Sequence, residues 1–148
     1  MNSYRRFFCM IAVSTVVMFG MMYLNTFALD HVYFSETRAY MALVMGAGMA
    51  IIMLGFMRHM YANKTLDTVI LVGAAAVFCV SLWLVRSQAT VHDVAWMKAM
   101  IPHHSIAIMT SSRANLSDPR VVDLAKRILE AQEREITEMK GLIRELER

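Results

Sequence analysis

The chain has 148 residues, of which 57% are hydrophobic, and a formal net charge of +3. It is more apolar than an ordinary soluble domain, in which about 45–50% of residues are apolar. Residues 1–86 hold six Lys or Arg against three Asp or Glu, whereas residues 87–148 hold nine of each. The charge therefore does not predict a nucleic-acid surface. Because Cys9 and Cys79 both lie in apolar runs, the sequence also excludes a disulfide framework and a thiolate zinc site.

The chain is predicted to divide into a transmembrane region at residues 1–86 and a polar helical region at residues 87–148. Three apolar runs of the first region are long enough to cross a hydrocarbon core of about 30 Å as helices. These predicted spans are residues 7–29, 39–57 and 69–85. The first run is longer than the apolar part of a signal peptide and lacks a clear cleavage site, so we expect it to be retained.

Positive charges flank the predicted spans unequally. Arg5, Arg6, Arg58 and Lys64 fall on one side, and Arg38 falls on the other beside two acidic residues. The positive-inside rule then places the N-terminus in the cytoplasm. With three crossings, residues 87–148 lie outside. The predicted location is a bacterial inner membrane, with the C-terminal region in the periplasm or another extracytoplasmic space.

The second span carries methionines at regular i, i+4 spacing, interleaved with glycines. They are Met41, Met45, Met49, Met53 and Met57. Such a stripe can pass a soft cation such as Cu(I) along the membrane. The alternative is that methionine fills space between packed helices while glycine permits their close approach. We favour packing, since no charged residue accompanies the stripe.

The polar region is predicted to form an antiparallel pair of helices. Asp93 is a candidate N-cap for a helix that ends near Arg113, and residues 115–119 combine a turn, a new N-cap and a proline in the first helical turn. The second helix runs to the C-terminus with one apolar stripe, which requires a partner. The predicted fold is all-α: three transmembrane helices and then an extracytoplasmic helical hairpin.

The first helix of the hairpin places soft metal ligands on one side. At about 100° per residue, Asp93, Met97, Met100 and His104 share an arc of about 60°, and His103 lies about 60° beyond Met100. Thioethers and imidazoles favour Cu(I), and by extension Ag(I), over hard cations. A core role for these side chains is the alternative.

Three further residues modify this predicted site. Pro102 either bends the helix and re-aims the histidines or is simply tolerated in a short helix. Met109 points nearly the other way and has less weight. Counting from a midpoint at Leu116 sets pairs of residues level across the hairpin: Met100 with Gln132, Met97 with Glu135, and Asp93 with Met139.

Two segments, one on each predicted helix of the hairpin, then carry a resemblance to a known family. The first contains Asp93, Met97-x-x-Met100-Ile-Pro-His103-His104 and Ala107-Ile-Met109. The second is Gln132-x-x-Glu135-Ile136-x-x-Met139. They resemble the domain of unknown function 305 family over residues 92–146. The resemblance implies a ferritin-like helical module, some of whose members are periplasmic copper-binding proteins concerned with copper resistance. The ligands it implies are Met97, Met100, His103, His104, Met109 and Met139, with Asp93 and Gln132 in support. Members with a four-helix bundle have two hairpins, so this chain is expected to complete its bundle by homo-oligomerisation or with a partner.

The leading functional hypothesis is a membrane-anchored Cu(I)-binding protein that buffers, sequesters or transfers copper, without catalysis or an organic cofactor. Its expected partners are the lipid bilayer, a second copy and a copper transporter or chaperone, with no nucleic acid. A structural subunit without metal is the alternative. A ferritin-like di-iron enzyme is disfavoured because Met100 and Ile101 stand where Glu-x-x-His pairs would need carboxylates. The Asp30-His31 and His92-Asp93 pairs are read as interfacial polar residues rather than a second site.

Overall fold

The computed structural model describes residues 3–148, apart from the side chain of His59. All regular secondary structure in this part of the chain is helical, which confirms the predicted all-α class. The helices are α1 (Ser3–Met21), α2 (Glu36–Met57), α3 (Lys64–Ser87), α4 (Asp93–Arg113) and α5 (Pro119–Leu146). Single 3-10 turns occur at Leu29–His31 and Arg58–Met60.

The described chain forms two compact units. The three-helix unit comprises residues 3–22 and 37–90, and the hairpin unit comprises residues 23–36 and 91–148. The predicted division placed all of residues 1–86 together. The difference is the segment 23–36, hereafter the loop segment, which packs with the hairpin because its side chains and backbone bond to α4 and α5.

Helices α1, α2 and α3 are each long and apolar enough to cross a membrane. The first helix occupies Ser3–Met21 instead of extending to residue 29. Its end coincides with polar residues: the Thr26 hydroxyl donates to the Tyr23 carbonyl at 2.9 Å, a local bond that competes with helical pairing. Its 19 residues still span about 28 Å at a rise of about 1.5 Å per residue.

Small residues hold the three-helix unit together. The buried face of α2 consists of Ala42, Gly46, Ala47, Ala50 and Leu54. A Cβ atom at Gly46 would collide with the Thr15 side chain of α1, so the glycine is required for the close approach of these helices. The two helices can meet closely only while residue 46 has no side chain.

The turn between α4 and α5 matches the predicted one. Asp118 is the N-cap of α5, its carboxylate accepts from the Arg120 backbone N–H at 2.9 Å, and Pro119 occupies the first helical position. At α4 the predicted N-cap is wrong by one residue. His92 has the extended backbone of an N-cap and makes no side-chain capping bond, whereas Asp93 is already helical.

Large aliphatic and thioether side chains form the core of the hairpin unit. They are Met97, Ile101, Ile108, Ile136, Met139 and Ile143, with Tyr33, Val94, Met100 and Leu129 packed around them. Helix α4 continues through Pro102, which is itself fully buried. The proline thus belongs to the packed face of α4.

The register of the hairpin differs from the predicted one. Glu135 meets His104 at 2.7 Å and Glu147 meets Lys98 at 2.5 Å, so the predicted level pairs are wrong. Midpoint counting assumed that α5 begins level with the end of α4. The His104–Glu135 contact places its start about seven residues, or about 10 Å, beyond that level. The first turns of α5 therefore extend past α4, which leaves Val121 and Leu124 44% and 46% exposed.

Candidate functional site

The His104 ring is held from both sides at the edge of the hairpin core. It is 9% exposed, and its Nδ1 lies 3.0 Å from the carbonyl oxygen of Met100, one turn earlier on α4. Because a carbonyl only accepts, we assign a proton to Nδ1. Its Nε2 lies 2.7 Å from Oε2 of Glu135 on α5, within hydrogen-bond distance. These two bonds fix the orientation of the imidazole.

Three thioethers belong to the same core. Met97 and Met139 are almost completely buried, and Met100 packs against them while its carbonyl holds His104. The observed register is what places Met139 of α5 in the cluster formed by Met97 and Ile101 of α4. Three thioether side chains therefore belong to one core, and the oriented imidazole of His104 is bonded to one of these residues.

The other predicted ligands lie apart from this core. His103 is exposed, and its ring centroid is 6.1 Å from that of His104 with the ring planes at 64°. Asp93 is exposed and lines an open recess beside Met97, Trp96, Leu142 and Leu146. Met109 is half-buried but does not belong to the core cluster, and Gln132 is half-buried on α5, one turn before Ile136. The structure thus places Met97, Met100 and Met139 in one core, and it bonds His104 to the Met100 carbonyl and to Glu135.

The donor set is rich in sulfur and poor in hard ligands. Within residues 3–148, setting aside the His59 side chain, no three His, Cys, Asp or Glu side chains converge on one point. The residues in and beside the hairpin core are thioethers and one imidazole, with the Glu135 carboxylate bonded to the imidazole. Thioether sulfur and neutral imidazole nitrogen are ligands for a soft monovalent cation.

The loop segment is attached to α4 through a buried hydroxyl. The Ser105 side chain, which is fully buried, accepts a hydrogen bond from the Phe27 backbone N–H at 2.7 Å and lies 3.0 Å from Nδ1 of His31. Since the Ser105 oxygen already accepts from Phe27, its own hydrogen is free to be donated to a neutral His31. Tyr33 from the same segment packs against the core that contains the thioethers.

A second attachment joins the loop segment to α5. Asp30 pairs with Lys140 at 2.5 Å, and this bond lowers the pKa of the Asp30 carboxyl. Burial, reinforced by the nearby Lys140 charge, lowers the pKa of His31. Asp30 and His31 therefore serve to hold the loop segment on the hairpin.

The sequence analysis did not single out Glu135, Ser105 or His31 for these roles. A signal for Glu135 was present, since at 100° per residue it shares a face of α5 with Ile128, Leu142 and Leu146. A carboxylate within an apolar row requires a polar partner. The roles of Ser105 and His31 had no such signal, because they depend on contacts between segments about 75 residues apart.

Comparisons with known proteins agree with the extent of the hairpin. A family model described as "Domain of unknown function (DUF305)" matches residues 83–143, a range that contains α4, most of α5 and the thioether core. "Uncharacterized protein L153" of Acanthamoeba polyphaga mimivirus is 33% identical over 109 residues, which is 72% of this chain and 69% of that protein. This similarity is too long to be confined to the hairpin unit. No solved structure matches the chain.

Proposed function

This chain belongs to the DUF305 family, and on that premise we propose that it is a membrane-anchored binding protein whose cargo is a soft metal ion, Cu(I). The observation that carries the proposal is the packing of Met97, Met100 and Met139 in one core, with the ring of His104 bonded to the Met100 carbonyl. The ion would be buffered, sequestered or passed to a copper transporter or chaperone. None of these roles requires catalysis.

The residues present fit such a cargo. Thioethers stay unprotonated at any pH, so they bind a cation without first losing a proton. The Nδ1 proton of His104 is bound to a backbone carbonyl, which is the arrangement that leaves Nε2 as the ligating nitrogen of a histidine. Glu135 would then remain beside the ion as a counter-charge. His103, Met109, Asp93 and Gln132 stay predicted ligands outside this core.

The connectivity supports a location outside the membrane. If α1, α2 and α3 all cross, the loop segment and the hairpin must lie on the same side. Their packing into one unit agrees with this requirement. With the positive-inside orientation, that side is the outer face of a bacterial inner membrane.

A second copy of the chain is proposed to complete a ferritin-like four-helix bundle. Large apolar side chains on one side of the hairpin are substantially exposed: Trp96, Leu124, Ile128, Leu142 and Leu146. A single hairpin leaves this row in water, whereas two hairpins can bury it. Leu142→Glu is expected to reduce the mass measured by light scattering to that of a monomer, and Thr137→Glu, on the polar face, should leave it unchanged. A monomeric wild-type chain would contradict the proposal.

The test of the metal site is Cu(I) binding by the purified full chain, measured under reducing conditions against a chromogenic Cu(I) chelator. Replacing Met97, Met100 and Met139 together by Leu keeps the volume of the core and removes all three sulfur ligands. We expect this variant and His104→Gln to lose at least about tenfold in affinity, equivalent to about 1.4 kcal/mol. Met60→Leu, at an exposed position of the three-helix unit, is the matched control and should bind as the wild type does. Ag(I) serves as a probe that does not change oxidation state.

The alternative is a structural subunit whose hairpin serves only in assembly. The exposed apolar row favours it, since packing alone accounts for that row. Normal assembly together with unchanged Cu(I) affinity in the sulfur-free variant would support the structural role and contradict the copper site. Circular dichroism of each variant establishes that the helices are retained.

A further inference from the structure

A buried carboxylate in the three-helix unit has an incomplete set of hydrogen bonds. Asp67 lies in the first turn of α3 and is 2% exposed. Its Oδ1 accepts a hydrogen bond from the Tyr4 hydroxyl at 2.9 Å. Among the described residues, no donor lies within hydrogen-bond distance of its Oδ2. Buried polar atoms are normally paired, so this oxygen indicates a missing partner.

The neighbouring lysine does not supply that partner. Lys64 Nζ is 4.0 Å from Oδ2, beyond hydrogen-bond distance, and it already donates to the Arg58 carbonyl at 2.9 Å. Lys64 thus contributes charge near Asp67 without completing its bonding. Together with Arg58, it leaves this end of the unit with more positive than negative charge.

Asp67 also lines a recess between the end of α2 and the start of α3. The recess has a volume of about 80 Å³ and is lined by Leu54, Gly55, Arg58, Asp67, Thr68 and Leu71. Its walls are apolar on the side of Leu54 and Leu71 and cationic at Arg58. Since α2 and α3 are both long enough to cross a membrane, their ends fall where lipid headgroups meet acyl chains.

We propose that this recess binds the headgroup of a phospholipid with a terminal N–H donor, as in phosphatidylethanolamine. The phosphate would neutralise the charge of Arg58 and Lys64, and the ammonium would donate to Oδ2 of Asp67. The acyl chains would lie along Leu54 and Leu71. This inference rests on the three helices crossing a membrane, and it is independent of copper binding.

The test compares two lipids that differ in their donors and match in charge. The full chain in mild detergent is mixed with equal amounts of phosphatidylethanolamine and phosphatidylcholine of the same acyl chains, and retained lipid is counted by native mass spectrometry. The trimethylammonium group of the second lipid has no N–H to donate. We expect the wild type to retain phosphatidylethanolamine about tenfold better, as a charge-assisted hydrogen bond predicts. Equal retention of the two lipids would overturn the proposal whatever the variants show.

Two variants locate the effect at Asp67. Asp67→Asn removes the charge and is expected to abolish the preference between the lipids. Tyr4→Phe removes the bond to Oδ1, leaves Oδ2 in place, and should keep the preference. A preference that survives in Asp67→Asn, or one lost equally in both variants, would contradict the assignment.

A second measurement does not depend on the Asp67 variant folding. Added phosphatidylethanolamine is expected to raise the melting temperature of the wild type above its value in phosphatidylcholine, because a ligand of the folded state stabilises it. In Arg58→Gln, an exposed position, this rise should shrink. Soluble phosphoethanolamine at the same concentration is expected to leave the melting temperature unchanged. If it raised the melting temperature as much as the lipid does, the proposal that the ligand is a lipid would be wrong.

Discussion

The two units of the molecule are both helical, but the buried face of α2 and the core of the hairpin unit are built from opposite kinds of residue. In the three-helix unit the buried positions of α2 are mostly Ala and Gly, and large side chains such as Val16, Phe56 and Val72 are exposed. In the hairpin unit the buried positions are Ile and Met. In lipid the hydrophobic effect does not drive apolar side chains together, so helices associate there through close backbone contact. In water, burial of large apolar side chains supplies the stability.

The largest expected effect tests the core of the hairpin unit. Ile101→Ala should reduce the free energy of unfolding of this unit by about 2–5 kcal/mol, because Ile101 is completely buried and its truncation leaves a cavity. The measurement is guanidinium unfolding followed by the fluorescence of Trp96 on α4, in a Trp83→Phe background. Val121→Ala is the control, since this valine is 44% exposed and lies outside the row proposed to pack against a second copy. Equal losses in the two variants would contradict the role of large buried side chains in stabilising this unit.

A smaller effect tests close packing in the three-helix unit. Gly46→Ala should reduce its free energy of unfolding by about 1–3 kcal/mol, since the added methyl group collides with Thr15. Unfolding by a denaturing detergent, followed by Trp83 fluorescence, provides the measurement. Gly55→Ala should have little effect, because open space surrounds that position. If Thr15→Ala fails to restore part of the stability of Gly46→Ala, the collision is not the cause.

The smallest effect concerns a polar attachment within the hairpin unit. The pKa of His31 is lowered by its burial and by the nearby Lys140, so the docked loop segment favours the neutral ring. The stability contributed by docking is complete above the usual histidine pKa of about 6.5 and is lost as the pH falls below it. Asp30, whose pKa is also lowered, adds a loss only in more acidic solution.

Hydrogen exchange of residues 23–36 at pH 7.5 and 5.5 measures this effect. After each rate is divided by the intrinsic exchange rate, which itself falls with pH, we expect lower protection factors at the lower pH in the wild type, and equal protection factors at both pH values in His31→Ala. His92→Gln is the control, because His92 is exposed and lies outside the loop segment. Protection that is independent of pH in the wild type would contradict a role for His31 protonation.

Much of the fold could be predicted from local sequence. The helical class, the three apolar helices and the turn before Pro119 follow from run length, periodicity and capping residues within a few positions of each other. The candidate site was predictable in part for the same reason, since Met97, Met100 and His104 share one face of a single helix. That these residues lie together on α4 required no knowledge of its partner.

The predictions that were wrong concerned contacts between distant parts of the chain, which the periodicity of one helix does not determine. The register across the hairpin is set by the distance that residues 114–118 cover before α5 begins. Because of this distance, Glu135 lies opposite His104 instead of the predicted Met97. The grouping of the loop segment with the hairpin depends on contacts at separations of 74 to 110 residues. Asp67 was visible as an acid near the start of an apolar run, but its unpaired oxygen is a property of the packed helices.

The attachment of the loop segment has a consequence for the order of assembly during synthesis. Its partners Ser105 and Lys140 lie 74 and 110 residues after His31 and Asp30, so the ribosome makes the segment long before them. The hairpin forms from contacts between neighbouring helices, which are fast to find, whereas the segment must wait for a completed surface. Residues 23–36 are thus the part of the hairpin unit that emerges first and reaches its final place last.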